Sequence, residues 1–156
     1  MALEHIHPIV VHFPIVLLLM AVALDGLNVI KRHDLAGETA LACAGQLALY
    51  SGAAAALVAV GFGYLAQGIA IDHGFDDSLI EDHEGLAVTT TVLFMALAFG
   101  RAVAVKLKYS LAGVRGWIAA ALTAVAVVVL LAAAYHGGEL VYNHGVNVAG
   151  VKGSHG

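Results

Sequence analysis

The chain has 156 residues, of which 61% are hydrophobic and 12% charged, with a formal net charge of -4 and a mean hydropathy of +0.91. A soluble domain carries roughly twice that charged fraction, so the composition describes a membrane protein and one domain, 1–156. Basic residues form no patch outside short loops, which argues against nucleic-acid binding, and the single cysteine, Cys43, excludes an internal disulfide, a Cys-rich zinc module and a covalent haem-attachment motif.

In chain order, the first apolar stretch spans about 10–30 and is introduced by EHIHPIVVHFP, with His5, His7 and His12 beside Pro8 and Pro14. No basic segment precedes it and no small-residue cleavage site follows, so it reads as a retained span. Pro8 suits a first helical turn; Pro14 either kinks the helix or marks its true start. Asp25 lies in this span, six residues before Lys31, close enough to the membrane surface for water or Lys31 to reach it. The second span, about 40–70, carries Gly45, Gly52, Gly61, Gly63 and Gly68, small residues that admit close helix contact or a flat cofactor. A polar acidic loop follows over 72–84, and the third span, about 86–105, opens at His83 with Thr89, Thr90 and Thr91 further along. The fourth span, about 117–135, ends at His136, with Gly137-Gly138 as its stop. The Gly-rich tail, 137–156, is either disordered or folded back over the protein, and no long internal repeat is evident.

Each span is long enough to cross a hydrocarbon core of about 30 Å. The expected fold is all-α: an integral-membrane four-helix up-down bundle with both termini on one side. Lys31, Arg32, Arg101, Lys106, Lys108 and Arg115 then fall in the two loops opposite the termini. The positive-inside rule places those loops in the cytoplasm and the termini outside, in the periplasm if the membrane is a Gram-negative inner membrane. Eight of the nine histidines lie on that outer side, together with most of the acids; His33 alone is inside.

Imidazoles converging at one end of a bundle can ligate iron. The first and third spans are diagonal across an up-down bundle, so His12 and His83 are the first-choice axial pair for haem b, with His7, His136 and His144 competing for a second haem or metal site and His5 or His7 serving the water-facing edge. Zinc or copper is the rival cofactor, though no HExxH or Cys spacing fixes a site. The expected role is an electron-transfer module between a quinone or partner subunit and a periplasmic redox protein, with an acidic rim steering a basic partner. A cofactor-free membrane anchor or assembly subunit is the alternative, and metal binding at the outer histidines a third. No nucleophile arrangement indicates an enzyme acting on an organic substrate.

Two stretches carry a family resemblance. HPIVVHFPIVL, over 7–17, and GGELVYNHGVNV, over 137–148, resemble the signatures of the bacterial membrane proteins called Domain of Unknown Function 2231, and the layout of four spans is similar throughout. The resemblance implies that His7, His12, His83 and His144 hold the family's histidine positions, with Pro8, Pro14, Gly137, Gly138 and Tyr142 as framework. His136 departs from the pattern, where an apolar residue commonly precedes Gly-Gly.

Overall fold

The computed structural model describes residues 6–148 and 150–153, and every described element is helical. The elements are α1 (Ile6–Val10), α2 (His12–Ile30), α3 (Ala40–Asp72), α4 (Ser78–Lys106) and α5 (Val114–Tyr142). Four stretches are long and apolar enough to span a membrane: Ile6–Ile30, in which α1 and α2 make one span, Ala40–Asp72, Ser78–Lys106 and Val114–Tyr142. The protein is therefore a multi-pass membrane protein. α2 and α4 each pack on α3 and α5, so the first and third spans are diagonal. We call the end that carries α1 and the chain beyond α5 the histidine end.

The spans exceed the lengths read from hydropathy, for identifiable reasons. Pro14 has no N–H to offer the carbonyl of Val10, and the helix is interrupted there, at Val11, before resuming. Pro14 itself sits in the first turn of α2, where the missing donor has no cost. The 72–84 segment is mostly not a loop, since α4 begins at Ser78 and only 73–77 connect it to α3. Gly137-Gly138 does not stop the fourth span, which continues to Tyr142. Chain past that point folds back: Val146 is buried with Ala70, Phe75, Ile80 and Leu140, Asn147 Nδ2 donates to the Ala66 carbonyl at 3.1 Å, and Gly153 N–H donates to the His73 carbonyl at 3.2 Å.

The central core is Leu18, Ala21, Leu49, Ala53, Phe94, Ala126, Val127 and Leu130. Gly52 lets α2 and α3 approach, because a Cβ there would meet Leu18 Cδ2 at 2.6 Å. Exposed Phe13, Val16, Leu57, Val92, Phe99, Val125 and Val128 form the lipid-facing surface. Trp117, Tyr109, Tyr135 and Tyr142 are all exposed near span ends, as interfacial aromatics are, and Arg115 lies over the Tyr109 ring at 4.7 Å.

At the end opposite the histidines, a polar network binds all four spans. Arg101 is not a loop residue: it lies inside α4, is 4% exposed, and meets Asp25 with two bonds, NH2 to Oδ2 at 2.8 Å and NH1 to Oδ1 at 3.2 Å. Asp25 therefore has Arg101 as its partner, in place of Lys31 or water. Thr123 of α5 donates to Asp25 Oδ2 at 3.4 Å, and Arg101 NH1 also reaches the Leu35 carbonyl at 3.4 Å. Gln46 of α3 donates to the carbonyls of Leu35 and Gly37.

Asp34 ties the two loops of this end together, accepting from the N–H groups of Ala36 and Leu111 and from Ser110. Partial burial pushes its carboxyl up, but those three hydrogen bonds and the Arg101 charge outweigh it and hold the pKa below the usual carboxylate value. A carboxyl depressed in the folded state stabilises above its unfolded pKa, about 3.9, and loses that contribution as pH falls through the folded value. Asp34→Asn is thus expected to flatten the acid limb below about pH 4 in a detergent-solubilised melting series, with little change of slope at neutral pH.

Candidate functional site: a paired-histidine cavity

α1 and α4 bring two imidazoles together from opposite sides of the histidine end. The His7 and His83 rings stand edge to face with centroids 6.3 Å apart. Their Nδ1 atoms are both committed to backbone: His7 to the Ala59 carbonyl at 3.1 Å, His83 to the Ala133 carbonyl at 2.9 Å. A carbonyl only accepts, so Nδ1 carries the proton in each ring and Nε2 is left as a lone pair. This is the arrangement that fixes the tautomer of metal-ligating histidines. Two metal–imidazole bonds of about 2.0–2.1 Å in line would put ring centroids roughly 6 Å apart, and the His7 and His83 centroids are 6.3 Å apart.

Local sequence explains why both rings fit. Each acceptor carbonyl is followed four residues later by glycine, Ala59 by Gly63 and Ala133 by Gly137. A Cβ on Gly137 would lie 2.8 Å from His83 Cε1, and one on Gly63 would lie 3.2 Å from His7 Cε1. These glycines clear space for the rings. The sequence assigned Gly137 to helix termination; its structural work is to admit His83. The adjacent Gly138 has nothing within 4 Å of its would-be Cβ. Gly137→Ala is therefore expected to cost about 1–3 kcal/mol by forcing His83 from its place, whereas Gly138→Ala, inside the same helix, is neutral or stabilises by up to about 1 kcal/mol. Thermal melts of the two purified variants decide this.

The rings open onto a cavity of about 610 Å³, within the range of small-molecule and cofactor sites, about 300–1,000 Å³. Its walls are largely apolar, with Ala56, Ala87, Val60, Ile15 and Leu130 among them. Tyr64, Gln67 and Glu84 are polar members of the lining: Gln67 Nε2 donates to Glu84 Oε2 and to Asp77 Oδ1, both at 2.9 Å, and Tyr64 hydrogen-bonds Glu84. Val146 and Asn147 of the returning chain also line it.

The other candidates fall out as follows. His12 lines the same cavity but is exposed, its Nδ1 on the Pro8 carbonyl of α1 at 2.6 Å, and it is His7, five residues earlier, that meets His83. His136 sits inside α5, beyond the point where the helix was expected to end, 3.5 Å from Glu139 and edge to face with Tyr135. His144 follows α5 and is exposed. His5 lies outside the described residues. Among the described residues no group of three or more His, Cys, Asp or Glu side chains comes together to hold a metal ion, so a tetrahedral zinc site has no protein ligand set there. Thr91 returns its hydroxyl to the Ala87 carbonyl, while the buried Thr90 Oγ1 has no partner.

The fold and site define an all-helical membrane bundle whose one end holds a fixed pair of imidazoles on an apolar cavity. The family follows from the sequence: a family model described as predicted membrane protein (DUF2231) matches residues 4–150, and the chain belongs to that family. Comparison with curated proteins and with solved structures yields no match.

Proposed function

We propose that the protein is a membrane electron-transfer module holding one haem b between His7 and His83. The observation that carries this reading is the ring pair: two imidazoles with centroids 6.3 Å apart, each held through Nδ1 by a backbone carbonyl, on an apolar cavity of cofactor size. The residues present fit such a group: two imidazoles, each seated against a glycine, Gly63 or Gly137, border a largely apolar cavity. His7 and His83 would hold such a haem, which would supply one-electron transfer.

The chain's own contributions are holding and tuning. The Ala59 and Ala133 carbonyls, by accepting from Nδ1–H, raise the basicity of each Nε2 and fix the ring planes. The apolar walls exclude water, and Tyr64, Gln67 and Glu84 form the polar edge. The basic residues near the opposite end, Lys31, Arg32, Lys106, Lys108 and Arg115, support a bacterial inner membrane with the histidine end periplasmic. A periplasmic redox protein would then exchange electrons at the acidic rim, with a quinone or neighbouring subunit as the second partner. The test is a reduced-minus-oxidised spectrum of protein purified with haem supplied during expression. A sharp low-spin b-type band supports the reading, and cofactor-free folded protein rejects it in favour of an anchor or assembly subunit.

A further inference from the structure

The residues that meet across the bundle stand at a constant distance in sequence. Asp25 and Arg101 are 76 residues apart. So are His7 and His83, whose rings face each other, and Leu18 and Phe94, both wholly buried in the central core. The same interval relates Asp34 to Ser110, which hydrogen-bond, and Leu35 to Leu111, joined by a backbone hydrogen bond of 3.3 Å. Four contacts and one pair sharing the central core, strung from the histidine end to the opposite loops, obey one rule.

The backbone repeats at the same interval. α2 ends at Ile30 and α4 at Lys106. Two residues on, Arg32 and Lys108 are left-handed, with φ of 58° and 52°. Both turns close with the same hydrogen bond, His33 N–H to Asn28 O and Tyr109 N–H to Ala104 O, each 2.8 Å. In the returning helices the interval is two residues shorter, and it relates Ala59 and Gly63 of α3 to Ala133 and Gly137 of α5, the two ring cradles. The repeat is hard to see in the letters because identical pairs such as His7 and His83 or Leu35 and Leu111 are interspersed with pairs that share geometry and differ in chemistry, such as Asp25 and Arg101 or Asp34 and Ser110. On a two-fold axis a residue meets its own equivalent; two aspartates there would repel, and Asp25 instead meets Arg101.

We propose that the chain is two fused copies of one helical hairpin, related by a two-fold axis along the bundle, and that the cavity is an axial site gripped by equivalent atoms of both halves. The axial placement stands on these pairs alone; the class of occupant rests on the haem reading. An axial site takes a planar ligand with its plane along the axis. Iron protoporphyrin would suit it, because its two carboxylates lie symmetrically on one edge. Its two faces would then meet equivalent rings and cradles, His7 with Gly63 and His83 with Gly137, so it would seat in both orientations related by a half-turn.

The test exchanges equivalent residues in the full chain. Asp25→Arg and Arg101→Asp should each lower the melting midpoint in detergent, and the two together should recover more than half of the loss; a double variant as impaired as the singles combined overturns the two-fold relation. Should the buried exchange fail to express, the same comparison with Asp34→Ser and Ser110→Asp in the loops decides by the same criterion. For the ligand, the oxidised protein loaded with iron protoporphyrin should give two sets of shifted haem-methyl proton resonances of comparable intensity, and an isomer symmetric about the axis one set. A single set from protoporphyrin overturns the equivalence of the walls. Recovery in the exchange without porphyrin binding upholds the fused hairpins and overturns the ligand class together with the haem reading.

Discussion

Purified His83→Ala and His7→Ala variants, expressed with haem supplied, are each expected to lose the low-spin b-type band, while His12→Ala retains it. The argument is one of position. The His7 and His83 rings stand 6.3 Å apart with both Nδ1 atoms engaged by backbone, so on the proposed haem reading the removal of either ring would leave one imidazole to hold the group. His12 is exposed and bonded to the Pro8 carbonyl in the same span, and its loss opens only part of the cavity wall. Loss of the band in His12→Ala with retention in His7→Ala would restore the pairing expected from sequence. Retention in all three would remove the ring pair from the site altogether. Melting midpoints measured alongside separate ligand loss from misfolding.

The second large effect is at the other end of the bundle. Arg101→Ala leaves Asp25 buried at 1% exposure without its two charge-assisted bonds, and breaking a buried pair from one side costs about 3–5 kcal/mol. Asp25→Ala strands Arg101 in the same way, with only the Leu35 carbonyl remaining. Replacing both by leucine removes the pair and the desolvation together, and should cost far less than either single change, because apolar isosteres of buried pairs are often neutral. A double-mutant cycle on melting in detergent measures this coupling. Equal and additive losses would show that the pair contributes no mutual stabilisation.

Much of the bundle was legible because lipid imposes simple demands. Twenty apolar residues in a row must form a helix, and four such runs with short connections must go up and down. Helix ends were less legible, since hydropathy marks the lipid-facing middle while helices extend into water: Ser78 to Glu84 reads as acidic loop yet its residues form the first turns of α4. Gly137 read as a stop because glycine so often ends helices, and its actual role depends on a ring from another span. The diagonal relation of the first and third spans was legible, and with it the candidacy of His83. The partner's identity was not, because His7 and His12 lie on one short segment and the interruption at Val11 decides which of them turns inward. Arg101 was assigned to a loop from its charge; its proximity to Asp25 depends on the depth at which two diagonal helices are registered, which no single span encodes. The carbonyl–glycine cradles at Ala59–Gly63 and Ala133–Gly137 carried a signal, a shared small-xxx-Gly spacing, that becomes meaningful only beside the rings they hold.

The Asp25–Arg101 pair also has a consequence for biogenesis. Asp25 enters the membrane with the first span, and its counter-charge is synthesised 76 residues later, roughly 4–15 s at translation rates of ~5–20 residues per second. During that interval a carboxyl destined for the interior has no cation to meet. The nascent first two spans must therefore wait near the insertion machinery until the third arrives. A ribosome that stops before Arg101 releases a chain bearing a lone acid in lipid, a ready mark for membrane proteolysis.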